Sequence, residues 1–268
     1  MRTPRIVLLA GALVGLLLTG TAHANVGTAR TAGGPVPTGS KALTHNPLYR
    51  SGKMTVPCGR HPDDFASFGA AKKHLTAMLG CLNASWSAQL KKAGLPFKKP
   101  AVQFLTKSTS ACEARWPEYV VGLYCPDQRQ MVIRVNDYAI QNPADPDLLL
   151  LIAHEYAHHV QNLTGILVAG QTPVRTKAKA LERSRRMELQ AECLAGAFMA
   201  SIWPSQQYTA EDWAEAVDLL GRSGDEEIDD AERTHGTSRN RAAWLQRGFD
   251  KASPGACNTW TATASSVA

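Results

Sequence analysis

The sequence predicts an α+β domain in which a small sheet packs on two helices that carry polar motifs. Three observations carry that reading. Helical hydrophobic spacing runs through residues 63–93 and again from 145 to about 164. Three short apolar and β-branched runs lie between those segments. Two polar motifs, His154-Glu155-Tyr156-Ala157-His158 and Glu188-Leu189-Gln190-Ala191-Glu192, sit in apolar surroundings with their outer residues one helical turn apart.

Asp63 to Ala93 places Phe65, Phe68, Ala71, Leu75 and Leu79 at helix spacing, followed by Leu82, Trp86 and Leu90. Val102–Leu105, Val120–Tyr124 and Met131–Val135 read as strands, the last two flanking a turn over residues 125–130. The edge of that sheet either pairs with an extended peptide backbone or only shapes the core. Asp145-Pro146-Asp147 has the acid and early proline that start a helix, and Gly165 lies just past its end. Gly170 to Lys177 is a proline-containing loop. Thr209-Ala210-Glu211-Asp212 reads as a capping box opening a helix through Leu220. Residues 222–237 are polar and read as loop. Ser238 is expected to cap a last helix whose Trp244, Leu245 and Phe249 face the core.

The first 24 residues have the form of a secretory signal: Arg2 and Arg5, an apolar run from Ile6 to Leu18, and Ala22-His23-Ala24 as the cleavage site. The apolar run is too short for a comfortable membrane span, so the expected protein is secreted with no stable membrane insertion after cleavage. Cleavage would leave 244 of 268 residues and lower the formal charge from +6 to +4. A balance that small predicts no nucleic-acid partner. Residues 25–51 are rich in Gly, Thr, Pro and Ala without a hydrophobic period, and read as a flexible leader or linker, with a pro-segment as the alternative. Residues 52–268 form the expected domain.

Cys58, Cys81, Cys112, Cys125, Cys193 and Cys257 all follow the signal. An even count in an exported chain favours three disulfides, and the absence of a Cys-x-x-Cys pair counts against cysteine as a metal ligand. Local closure favours Cys58–Cys81 and Cys112–Cys125, which leaves Cys193–Cys257, although six cysteines allow many pairings.

On a helix, His154 and His158 share a face and can both reach one Zn²⁺, with Glu155 beside them as a base. One known arrangement adds a third histidine six residues on, after a glycine. Here those positions are Gln161 and Thr164, so it is excluded. The other takes a glutamate from a second helix. Glu188 fits that place, and the small Ala191 and Ala195 would let the two helices approach. Glu192, on the same face, would then accept the free ring N–H of a ligand histidine and fix its tautomer. The plain alternative makes Glu188 and Glu192 solvated charges on an amphipathic helix. His159 points about 100° away from His158 and reads either as a residue that supports a ligand from behind or as a packed polar residue, not as a ligand itself. His235, in a loop before a helix, either donates to an oxyanion or holds the Thr234–Ser238 turn. Tyr124 and Tyr138 are further candidates for that donor, and Tyr156 reads as core.

At residues 154–162, 188–196 and 234–238 the chain resembles the putative neutral zinc metallopeptidase family, a gluzincin-like group. Weaker likeness at residues 46–49, 123–128, 244–249 and 257–260 extends it over roughly residues 45–260. The family usually has aspartate where this chain has Glu192. The resemblance implies a zincin-like fold, a Zn²⁺ cofactor and a peptide or protein substrate. The expected function is thus a secreted zinc metalloendopeptidase, with His154, His158 and Glu188 holding the metal and Glu155 as general base toward a zinc-activated water. The competing class is a secreted zinc-binding domain that contacts a protein or cell-wall partner without turnover.

Overall fold

The computed structural model describes residues 35–59, 67–107, 110–112, 114–115, 121–228 and 232–268. In chain order, α1 (Gly39–Thr44) and a 3-10 turn (Pro47–Arg50) precede the long α2 (Phe68–Lys92). Strand β1 (Ala101–Leu105), a short ribbon of β2 (Ser110–Ala111) and β3 (Ala114–Arg115), and the hairpin of β4 (Gly122–Cys125) and β5 (Gln130–Arg134) follow. The rest is helical: α3 (Asp137–Gln141), α4 (Pro146–Leu163), α5 (Ile166–Gly170), α6 (Lys177–Gln206), α7 (Ala210–Leu220) and α8 (Ser238–Lys251). The α+β expectation holds, with helix predominating.

The main sheet has the order β1-β5-β4, with β1 parallel and β4 antiparallel to the central β5. Strand alternation divides its two faces. Met131, Ile133 and Tyr124 join the main core, whereas Val132 and Cys125 pack with Leu105, Cys112 and Leu123. The β2–β3 ribbon is pinned to β4 by the Cys112–Cys125 disulfide. Cys58–Cys81 and Cys193–Cys257 complete the set, as local closure suggested, and no cysteine is free. Among the described residues, no helix is long and apolar enough to cross a membrane.

Helix α4 begins as its sequence dictates. The Asp145 side chain accepts from Asp147 N at 2.8 Å and Pro146 takes the first turn, where no donor is needed. It stops at Gly165, whose φ of 76° only glycine adopts freely. Between these ends it is buried on nearly every side by α2, β4 and α6. Helix α6, 30 residues long, starts from a Thr176 cap and crosses both α4 and α8. At the α6–α8 crossing Gly196 faces Leu245 O and Gly248 faces Cys193 O, so backbone meets backbone with no side chain between. The Thr209 capping box is formed as expected, its hydroxyl accepting from Asp212 N while Asp212 accepts from Thr209 N.

Two expectations need correction. Residues 35–51 are not leader. Ala42 and Leu48 are fully buried, and Asn46 Nδ2 donates to Ala42 O at 3.0 Å and to Thr164 O at 2.9 Å, closing the end of α4. These anchors lie in two very short helical turns, too brief to show a hydrophobic period. The cap of α8 is Thr237, whose hydroxyl accepts from Asn240 N, while Ser238 receives Gly224 N–H from the preceding loop. The signal, the first part of the expected leader, and the start of the first long helix at 63–66 lie outside the described residues.

Candidate metal centre

Successive turns of α4 put His154 and His158 on the face turned toward α6. Their Nε2 atoms lie 3.1 Å apart. Glu188, on α6, brings Oε2 to 3.3 Å from His154 Nε2 and 3.2 Å from His158 Nε2. These three are the group among the described residues able to share one metal ion. Two ligands about 2.0–2.1 Å from a tetrahedral zinc lie about 3.3 Å apart, so the triangle has the size that zinc requires. Glu188 Oε2 is buried between the two nitrogens without a well-formed hydrogen bond. The donor set, two imidazoles and one carboxylate, is one that zinc takes.

The electrostatics favour a cation at this point. Burial disfavours charge on His154, but the Glu192 and Glu188 carboxylates outweigh it and hold the imidazole well above its ordinary pKa. At His158 burial is likewise overcome, chiefly by Glu188. Burial would raise Glu188, yet the imidazoles of His158, His154 and His235 hold it well below the usual carboxylate range. The pocket thus gathers positive charge when it contains only protons.

Glu155 is 2% exposed, and its Oε2 has no hydrogen-bond partner among the described residues. Burial pushes its carboxyl up, partly offset by His158 and His154 and by the Tyr124 backbone N–H. A carboxylate so placed is a strong proton acceptor next to the ligand triangle.

Glu192 Oε2 lies 3.4 Å from His154 Nδ1, a long contact for the longer side chain at this position. Its other oxygen accepts from Arg241 Nη2 at 2.6 Å and Nε at 3.1 Å. Burial would raise Glu192, but Arg241 and His154 bring it down to about 2. Arg241, itself buried, also donates to Ser223 O. Its sequence signal was a charged residue on the apolar stripe of Trp244, Leu245 and Gly248.

His235 enters from the loop before α8, with Nε2 3.9 Å from Glu188 Oε2. Asp225 holds it: Oδ2 accepts from the backbone N–H of His235 and Gly236 at 2.7 and 2.8 Å, and Oδ1 lies 3.6 Å from His235 Nδ1. His235 therefore both edges the site and belongs to a tied turn. Asp225 was invisible in sequence because it opens an ordinary acidic run.

The remaining candidates lie elsewhere. His159 Nε2 donates to Lys98 O at 2.7 Å, leaving Nδ1 to accept from the Tyr124 hydroxyl at 3.0 Å. Asn162 donates to the same hydroxyl, so Tyr124 is engaged behind α4. The Tyr138 hydroxyl donates to Asp145 at the start of α4, and Tyr156 is core, donating to Asn83.

The profile of the family described as "Putative neutral zinc metallopeptidase" matches residues 64–260, a stretch that contains every residue of the triangle. Among curated proteins, the Escherichia coli "Uncharacterized protein YpfJ" is 31% identical over 207 residues, 71% of each chain. The "Uncharacterized protein Rv2575" of Mycobacterium tuberculosis is 30% identical over 135 residues, 42% of this chain and 43% of its own. No solved structure matches. With its ligand triangle inside the matched stretch, this chain belongs to the putative neutral zinc metallopeptidase family.

Proposed function

We propose that the protein is an exported zinc-dependent endopeptidase. The observation that carries this is Glu155, a buried carboxylate with one oxygen unpartnered among the described residues, beside a three-residue triangle able to hold a metal. A site that only binds metal has no use for such a base, and three protein ligands is the count of catalytic zinc, whereas structural sites use four. Zinc held by His154, His158 and Glu188 would supply Lewis acidity toward a scissile carbonyl and toward water.

The chain supplies the proton handling. Glu155 takes the proton of the attacking water at Oε2 and passes it to the leaving amine. Its burial keeps it a stronger base than a solvated carboxylate. His235 donates from Nε2 to the carbonyl oxygen as negative charge develops there, with the Thr234 hydroxyl 2.9 Å from its Nδ1 and Asp225 holding the turn through the backbone N–H groups of His235 and Gly236. Glu192 accepts from the Nδ1–H of His154 and so fixes its tautomer, with Arg241 balancing the carboxylate's charge. Export is supported by the signal-like first 24 residues and by the pairing of all six cysteines.

The test is Glu155→Gln in purified mature protein, scored by zinc content and by cleavage-site profiling on a peptide library with and without chelator. The variant should keep its zinc and lose hydrolysis by orders of magnitude. Near-normal cleavage by Glu155→Gln, or chelator-insensitive cleavage by the wild type, would overturn the reading.

A further inference from the structure

We infer that Gln161 is a positioning residue that fixes the tautomer of His158 and locks together the two helices that bear the ligands; this rests on the zinc reading above. Gln161 lies on α4 one turn after His158 and is fully buried. Its amide oxygen is 2.9 Å from His158 Nδ1, and its nitrogen is 2.8 Å from Met187 O and 3.1 Å from Gln190 Oε1. A backbone carbonyl only accepts, so the amide nitrogen must face Met187 and the oxygen must face His158. The usual ambiguity in placing an amide does not arise. An accepting oxygen requires the proton on Nδ1, which leaves Nε2 bare, and Nε2 is the atom that faces Glu188.

Gln190 secures this polarity from α6. Its nitrogen donates to Cys257 O at 3.0 Å and to the Tyr49 hydroxyl at 2.9 Å, so its own oxygen must face Gln161. Tyr49 in turn donates to Leu43 O at 2.8 Å. All four amide protons of the pair have acceptors, which a buried network needs to be worth having. Met187 immediately precedes Glu188, so the side chain that aims His158 also holds the backbone next to the third ligand. His154 is served by a carboxylate, Glu192, and His158 by a neutral amide. That choice orients the second imidazole without adding another negative charge to the pocket.

The experiment measures zinc dissociation constants by chelator competition for wild type, Gln161→Leu and Gln190→Leu. It also follows the His158 Nδ1–H resonance in the zinc-loaded proteins, and circular dichroism of the metal-free forms reports folding. Gln161→Leu should bind zinc about 10–100-fold more weakly, the usual effect of losing the group that orients a ligand histidine. Its Nδ1–H signal should be lost to rapid exchange. Gln190→Leu should keep the signal and weaken zinc less. A folded Gln161→Leu with wild-type affinity overturns the inference while leaving the zinc reading intact; a wild type that binds no zinc fails the zinc reading itself. Should Gln161→Leu not fold, Gln190→Leu decides, and unchanged affinity there overturns the proposal.

Discussion

Replacing Gly248 with alanine tests how helix α6, which carries Glu188, is braced. The added Cβ would fall 1.9 Å from Cys193 O and 3.0 Å from Ala197 N, both backbone atoms of α6. Ordinary contact begins near 3.4 Å, so α8 must retreat by about 1.5 Å at the crossing. Overpacking costs about 1–3 kcal/mol, and rigid backbone on both sides puts this position at the upper end. Arg241 rides on the same helix, with Nη2 2.6 Å from Glu192 Oε1. An equal displacement there would open that bond to about 4 Å, beyond hydrogen-bond range. Glu192 would then lose its cation, and His154 its brace. At about 2–4 °C per kcal/mol for a domain of this size, Gly248→Ala should melt roughly 6–12 °C lower and bind zinc more weakly. Gly80→Ala is the control: an exposed position of α2 with nothing within 4 Å of the new atom. It should melt at or slightly above wild type, since alanine is the better helix former by about 1 kcal/mol. Scanning calorimetry and chelator competition give both readouts. A Gly248→Ala protein with wild-type melting and zinc affinity would refute the argument that backbone contact at this crossing positions Arg241.

Arg241→Leu leaves Glu192 buried without its partner and should cost about 3–5 kcal/mol in urea denaturation; a loss below 1 kcal/mol would mean that Glu192 is balanced otherwise. Removing the Cys193–Cys257 bridge as a double alanine variant opens a loop of 64 residues. On the chain-entropy account this costs about 4 kcal/mol, and an unchanged denaturation midpoint would contradict it. Asp225 is held below its usual pKa of 3.8 because His235 and the Gly236 N–H outweigh burial. Its folded pKa is thus depressed, so its stabilisation is present above pH 3.8 and is lost as pH falls below that value. Asp225→Asn should be less stable than wild type at pH 6, and the gap should narrow at pH 3; a gap that widens at pH 3 reverses the sign and rejects the assignment.

How much could be read in advance depended on how local each signal was. Helix α4 was legible because its start, its stop and its polar face all lie within twenty-odd consecutive residues. The hairpin was legible for the same reason, with alternation on both sides of one turn. Residues 35–51 were not, because Asn46, Leu48 and Tyr49 are fixed by partners far along the chain, and short turns leave no periodic trace. The polar partners of the site divide the same way. Glu192 could be placed because it shares a helix face with Glu188. Arg241, 49 residues from Glu192, and Asp225, in an ordinary run of acids, acquire meaning only when the chain closes. Gln161 stood in plain view inside the motif, yet its task depends on the carbonyl of Met187, 26 residues away.

The reach of the amide network sets an order for folding the chain. Tyr49 and Gln190 are 141 residues apart, and Gln190 also needs Cys257, 67 residues further on. Met54 pairs with Ala252, and Asn258 with Thr44, so early and late stretches of the chain meet over the same ground. Contacts of such long range form slowly. A nascent chain can wind α4 as soon as that helix emerges, but Gln190 has both its acceptors only after residues near 257 have arrived. The polar seam between the two helices is therefore completed only when stretches far apart in the sequence have met.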